Sequence, residues 1–357
     1  MNPFEKNRRV LGIPLRWLAG LLLASLALYL QCDLAQRKIF TEDEAFQHVV
    51  TCPESYSTIV IHGGLSQCSR PPLYYLLQKA YLGLVPFDEA MQVSFRALSL
   101  VSGFLTVFLM FGWIAARLEW ASALFATLLL LSQPIFHQFA AESRPYAFWV
   151  LLYLAWLVIL REGSRRSQAF LAASLTGVSA AGMLQALGGW LAEAFLVAVR
   201  TRTVRAAVTL LRPVGAVFFV LLAVGIYYSW HGCPPVPGGW NLLETRNPDL
   251  LLFVWRLLFP SGLFYYTWVL NGIVALGLIV AVFRAVRVQS KNDLAWEEAL
   301  GFQLLAQLCI AFVIAVSVAI KGYFFVPRMF IFLVIVRSLL GAIGLHYLLL
   351  FLRQQWP

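Results

Sequence analysis

The chain has 357 residues, 61% hydrophobic and 12% charged, with a net charge of +10 and apolar runs recurring from end to end. This composition excludes a water-soluble globular domain and a disordered chain, and it predicts a polytopic membrane protein. The positive balance comes with no basic tail and no aromatic-basic motif, which argues against a nucleic-acid partner; it records membrane topology and contact with anionic lipid.

In chain order, the apolar runs predict helical spans at Leu11–Leu30, Ser94–Ile114, Trp120–Phe136, Pro145–Leu160, Ala169–Leu184, Leu187–Val199, Ala206–Trp230, Leu263–Phe283, Ala299–Ile320 and Met329–Leu352. The expected fold is therefore all-α, a bundle of ten spans in a single domain over residues 1–357. A helix needs roughly 20 residues to cross about 30 Å of hydrocarbon, and several of these runs are shorter. The first span opens on basic residues but has a long apolar body and no clean small-residue cleavage site. It reads as a signal anchor that stays in place.

Cytoplasmic loops retain Lys and Arg. Lys6, Arg8, Arg9 and Arg16 precede or open the first span, and Arg117, then Arg161, Arg165 and Arg166, then Arg200, Arg202 and Arg205, then Arg284, Arg287 and Lys291, and finally Arg353 fall at every second boundary. Both termini are expected on the cytoplasmic side of a cytoplasmic or endoplasmic-reticulum-equivalent membrane. Cys32, Cys52, Cys68 and Cys233 then map outside and Cys309 to a span. Cys52 and Cys68 bracket a Gly-containing turn and are the preferred disulfide pair, with free thiols the alternative.

Two outer loops are long, residues 31–93 and 231–262. The first concentrates carboxylates: Asp33, Glu42, Asp43, Glu44, Glu54, Asp88 and Glu89. Thr41-x-x-Glu44 is a capping box, so a helix is expected to begin at Thr41 and Glu44 has a cap as its plain explanation; Asp43 is not required by the box. A second interfacial helix is expected from Ser69-Arg70-Pro71-Pro72 through Leu82, its Tyr74, Tyr75, Tyr81 and Lys79 suited to headgroup level. The second loop is rich in Pro and Gly and reads as a connector.

Outside the long loops, three cations stand where the charge rule does not put them, at outer helix ends: Arg144 in Glu142-Ser143-Arg144-Pro145-Tyr146, Lys321, and Arg328 after Pro327. Glu142 is the expected partner of Arg144, and Lys321 is equally explained by snorkelling to headgroups. Glu193, inside a span, needs a partner, with Arg96 and Arg337 the candidates.

Asp43-Glu44-Ala45, Arg70-Pro71-Pro72-Leu73-Tyr74-Tyr75, Glu142-Ser143-Arg144-Pro145-Tyr146 and Pro327-Arg328, in that order and all expected outside, resemble the landmarks of GT-C membrane glycosyltransferases. The closest likeness is to the branch of protein O-mannosyltransferases and lipid A aminoarabinose transferases. The resemblance runs from about residue 10 to 350; the family's usual His-Pro-Pro is Arg70-Pro71-Pro72 here, and a soluble C-terminal domain seen in many relatives is not expected. It implies transfer of a sugar from a polyprenyl-phosphate-linked donor on the extracytoplasmic face. By position, Asp43 is implied as the catalytic base and Glu44 as its helper.

Such a transfer needs a base for the incoming hydroxyl and cations for the departing phosphate. Arg144 and Arg328 are the first candidates for the phosphate and Lys321 and Arg70 the second, with Glu142, Tyr146, Tyr74 and Tyr75 in support. A base opposite the leaving group favours inversion. No particular cofactor is identified. A divalent metal is left open, since Asp43, Glu44, Glu142 and His62 form an oxygen-rich set, although His62 alone reads as a surface-loop histidine. The acceptor is a lipid, a glycan or a protein, and membrane lipid is the surrounding partner. A transporter and a non-enzymatic envelope-assembly protein are the competing readings; a transporter predicts internal repeats, and none is seen.

Overall fold

A computed structural model describes residues 9–10, 13–39, 41, 44, 53–62, 71–85, 92–212, 215–230, 255–260, 265–287, 296–321 and 330–355. The described chain is a helical membrane bundle; its one strand pair is two residues on each side, β1 (Arg9–Val10) against β2 (Ile13–Pro14).

The first long helix, α1 (Leu15–Arg37), shows how the bundle packs. Its buried residues are Gly20, Ala24, Ala27, Gln31 and Ala35, one stripe at helical spacing, while Leu22, Leu26 and Tyr29 are exposed. Leucine is as comfortable in lipid as in protein, so the small face goes inward, where it lets backbones approach. That face meets α5 (Ala97–Arg117), and the Trp17 ring lies over Gly112, where a Cβ would collide with it.

Between α1 and α5 come α2 (Tyr56–His62), α3 (Leu73–Leu84) and the short α4 (Gln92–Phe95). The expected second interfacial helix is thus present as α3. Two of its expected headgroup-level rings are not there: Tyr74 and Tyr75 are buried, packed edge to face on each other, because that side of α3 lies against the bundle.

Next, α6 (Trp120–Leu131) and α7 (Pro134–Ala140) are bent by 70° at Ser132-Gln133, where the chain meets Pro134. The carbonyls freed by the break find side-chain partners: Ser132 Oγ donates to Leu129 O (2.8 Å) and His137 Nε2 lies 2.7 Å from Leu131 O. After a tight turn, α8 (Pro145–Glu162) starts with Pro145 in its first turn and Arg144 as N-cap.

The helices α9 (Arg165–Val178) and α10 (Ala180–Thr201) meet at Ser179, whose backbone is extended. The break was expected near residue 185. There, α10 is continuous, and the Gln185 side chain accepts from Trp149 Nε1 (2.9 Å) instead of interrupting the helix. Then follow α11 (Val204–Leu211), α12 (Gly215–Trp230), α13 (Tyr265–Arg287), α14 (Trp296–Lys321) and α15 (Leu333–Gln355). The glycines Gly277 and Gly344 let α13 and α15 touch backbone to backbone.

Among the described residues, seven helices are long and apolar enough to cross a membrane, or up to nine if each bent pair is one span. The tenth expected span is α9, whose 14 residues rise only about 21 Å.

Candidate functional site

Charges gather at the two ends of the bundle. At one end, Arg117 meets Glu162, Arg161 meets Glu193, Arg284 meets Glu298, and Arg353 meets Glu119. Glu44, Glu142, Arg144, Tyr74 and Tyr146, all singled out by sequence, collect at the other.

There the capping box forms as expected. Thr41 N donates to Glu44 Oε2 (3.0 Å) and Glu44 N lies 3.3 Å from Thr41 Oγ1. The box is only part of what holds Glu44, which is fully buried. Arg96, at the N-cap of α5, grips its carboxylate as a fork, Nε to Oε1 at 2.8 Å and Nη2 to Oε2 at 2.9 Å. Ser143 N adds a bond to Oε1 at 2.7 Å. The same guanidinium takes carbonyls at the end of α1, Ala35 O and, at 2.9 Å, Lys38 O. Burial by itself pushes the Glu44 carboxyl up, but Arg96 and the amides of Ser143 and Thr41 outweigh it and hold it below its ordinary value. A carboxylate has about four lone-pair directions, and these donors occupy them. Glu44 therefore ties Thr41 to Arg96 and to the Ser143 turn, with its carboxylate fully hydrogen-bonded as the anion.

The turn that Glu44 holds is Glu142-Ser143-Arg144. Arg144 is 1% exposed, its guanidinium carbon 5.8 Å from the centre of the Tyr146 ring. Its carbonyl accepts from Ser99 Oγ (3.0 Å), leaving the Tyr74 phenol to donate to Ser99 Oγ (3.1 Å). Burial pushes the Tyr74 phenol well up, with the Ser99 and Ser143 hydroxyls countering only part of that, so it remains a neutral donor. The Tyr75 hydroxyl, one residue on, is buried without a hydrogen-bond partner among the described residues. Tyr146 packs on Phe139 of α7.

Glu142 was expected to orient Arg144. Its carboxylate instead pairs with Lys38 and accepts from Gln138 Nε2 (3.3 Å), because the end of α1 brings Lys38 to the turn while Arg144 is turned into the core. Glu193 likewise pairs with neither Arg96 nor Arg337; Arg161 and, at 2.9 Å, Gln303 Nε2 hold it near the opposite end.

The structure thus brings together Glu44, Glu142, Arg144, Tyr74, Tyr75 and Tyr146. Asp43, Arg70, Arg328, Cys52 and Cys68 lie outside the described residues, as do the side chains of His62, which ends α2, and Lys321, which ends α14. Among the described residues no group of three or more His, Cys, Asp or Glu could hold a metal.

Sequence reasoning missed Arg96 as the partner of Glu44, and Lys38, Ser99 and Ser143 altogether. A signal existed for two of them: Lys38 and Arg96, like Arg144, are cations at helix ends where the charge rule puts none. Comparison with models of protein families, with curated proteins and with solved structures returned no match.

Proposed function

We propose that this protein is a membrane glycosyltransferase that moves a sugar from a polyprenyl-phosphate-linked donor to an acceptor hydroxyl at the extracytoplasmic face. One observation carries the reading: the Glu44 carboxylate is bonded to the Ser143 amide, 99 residues away, so the acidic segment and the Arg144 turn are one unit. Chain connectivity keeps Asp43 beside Glu44.

In the proposed reaction Asp43 takes the proton of the acceptor hydroxyl as its oxygen bonds to the anomeric carbon. The bond from that carbon to the phosphate oxygen breaks, and the electron pair leaves with the lipid phosphate. Attack opposite the leaving group inverts the anomeric carbon. Arg144 stabilises the charge gathering on the phosphate through its planar donors, with Arg328, Lys321 and Arg70 as further cations for it. Glu44, Arg96, Ser99 and Tyr74 hold the two halves of the site in register, and Glu142, held by Lys38, supports the turn.

The 70° break between α6 and α7 is a feature that a transporter would share. The break is followed, however, by α7 running straight into the Arg144 turn, where Glu44, Arg96 and Arg144 are buried together.

The test is transfer from a labelled polyprenyl-phosphate sugar in reconstituted membranes. Asp43→Asn is expected to lower turnover by about 10²–10⁴-fold, and Arg144→Gln to weaken use of the donor. Unchanged turnover in Asp43→Asn removes Asp43 as base. No transfer by the wild type from any such donor, together with counterflow of a labelled solute, makes the protein a transporter.

A further inference from the structure

Arg337 is a charged group that the transfer reading leaves unused. It lies one turn into α15 and is 2% exposed, enclosed by neighbours such as Leu333, Val336 and Leu340. Its Nε donates to Leu258 O at 2.9 Å, while Nη1 is buried with no hydrogen-bond partner among the described residues. Nor does any carboxylate among them pair with it, whereas the buried Arg96 has Glu44 and the half-buried Arg161 has Glu193. Guanidinium stays charged and carries five donors. Enclosed side chains cannot snorkel to headgroups, and a buried, uncompensated cation calls for a counter-charge.

A second leftover group faces the same stretch of chain. Asn271 of α13 donates from Nδ2 to Pro260 O at 3.0 Å, and its Oδ1 is buried without a partner among the described residues. Arg337 and Asn271 therefore both bond carbonyls of residues 258–260, and each has a buried polar atom to spare, a donor on Arg337 and an acceptor on Asn271.

The geometry points to an anion site at Arg337 and Asn271 that takes a monosubstituted or free phosphate, separate from the Arg144 turn. Phosphate suits both leftovers: its oxygens fit the planar guanidinium fork, and its monoanion, the form a single buried cation balances, keeps a P–OH hydrogen for the Asn271 carbonyl, which sulfate does not. A lipid phosphate monoester and inorganic phosphate share this chemistry. The site stands independently of the transfer reading.

The experiment titrates the purified full chain, in a neutral detergent, with a long-chain polyprenyl phosphate, with inorganic phosphate and with sulfate, following the thermal midpoint and hydrogen exchange of the amides of residues 257–259. In the wild type a phosphate probe is expected to raise the midpoint and slow that exchange, and sulfate to do neither. A response to the lipid alone assigns a headgroup and one to inorganic phosphate a free anion; either supports the site. Arg337→Gln is expected to weaken the exchange response at residues 257–259 by about tenfold or more, Asn271→Ala to weaken it less, and Arg144→Gln to leave that local response, even where it lowers the midpoint shift through its own contact with the lipid phosphate. No response of the wild type to either phosphate overturns the inference even if Arg337→Gln fails to fold, as does an equal response to sulfate. Loss in Arg144→Gln with retention in Arg337→Gln moves the phosphate to the Arg144 turn, which sinks this inference and leaves the proposed function standing.

Discussion

The two ends of the bundle use the same residue types to different effect. At the arginine-rich end each of four arginines meets its own carboxylate, and most of these arginines keep a side exposed: Arg117 is 43% and Arg353 59% exposed. At the other end a single carboxylate, fully buried, joins the end of α1, the start of α5 and the turn before α8. Exposed pairs are screened and lose side-chain entropy in forming. A buried pair is held by the cost of leaving its partner alone in a dry site. Burial, not charge count, thus makes one end a clamp and the other a rim.

The contrast breaks most visibly at Glu44. Glu44→Gln, which removes the carboxylate charge facing the buried Arg96 guanidinium, is expected to destabilise the protein by about 3–5 kcal/mol, read as a fall in the unfolding midpoint in detergent. Replacing Arg96 as well should recover part of the loss, and strict additivity in the double variant would mean that the two do not act as a pair. The loss also depends on pH. Because the folded Glu44 carboxyl lies below its ordinary value, its contribution is present above that ordinary value and is lost as pH falls through the folded one. The gap between wild type and Glu44→Gln should therefore narrow in acid.

A smaller effect is expected one turn away. Lys38→Met leaves Glu142, nearly buried, with only Gln138, and should cost about 1–3 kcal/mol; an unchanged midpoint would make this pair part of the rim class. Arg284→Ala, at the opposite end, should cost less than about 1 kcal/mol, and less again in high salt. A loss there as large as that of Glu44→Gln would erase the distinction between the ends.

Much of the fold can be read along the chain because lipid imposes it locally. An apolar run must close its own hydrogen bonds, so α5, α13, α14 and α15 fall within a few residues of the expected spans, and the Thr41-x-x-Glu44 box can be read from four residues. The site was legible in its members: Glu44, Glu142, Arg144, Tyr74 and Tyr146 do converge. Their pairings were not. Glu142 was matched to the nearest cation in sequence, and Glu193 to cations that lie at other depths, since nothing in the spacing of charges says which helices become neighbours.

Composition and periodicity, then, determined a helical membrane protein, the extent of most of its spans and the residues that do not belong in lipid. The tertiary structure decided that Glu44 meets Arg96 and Ser143, that Lys38 takes Glu142, and that Arg337 is left without a carboxylate among the described residues. The reason is physical: the pressure to satisfy a backbone acts within each helix, whereas the pressure to neutralise a buried charge acts across the bundle, on whichever side chain packing brings within reach.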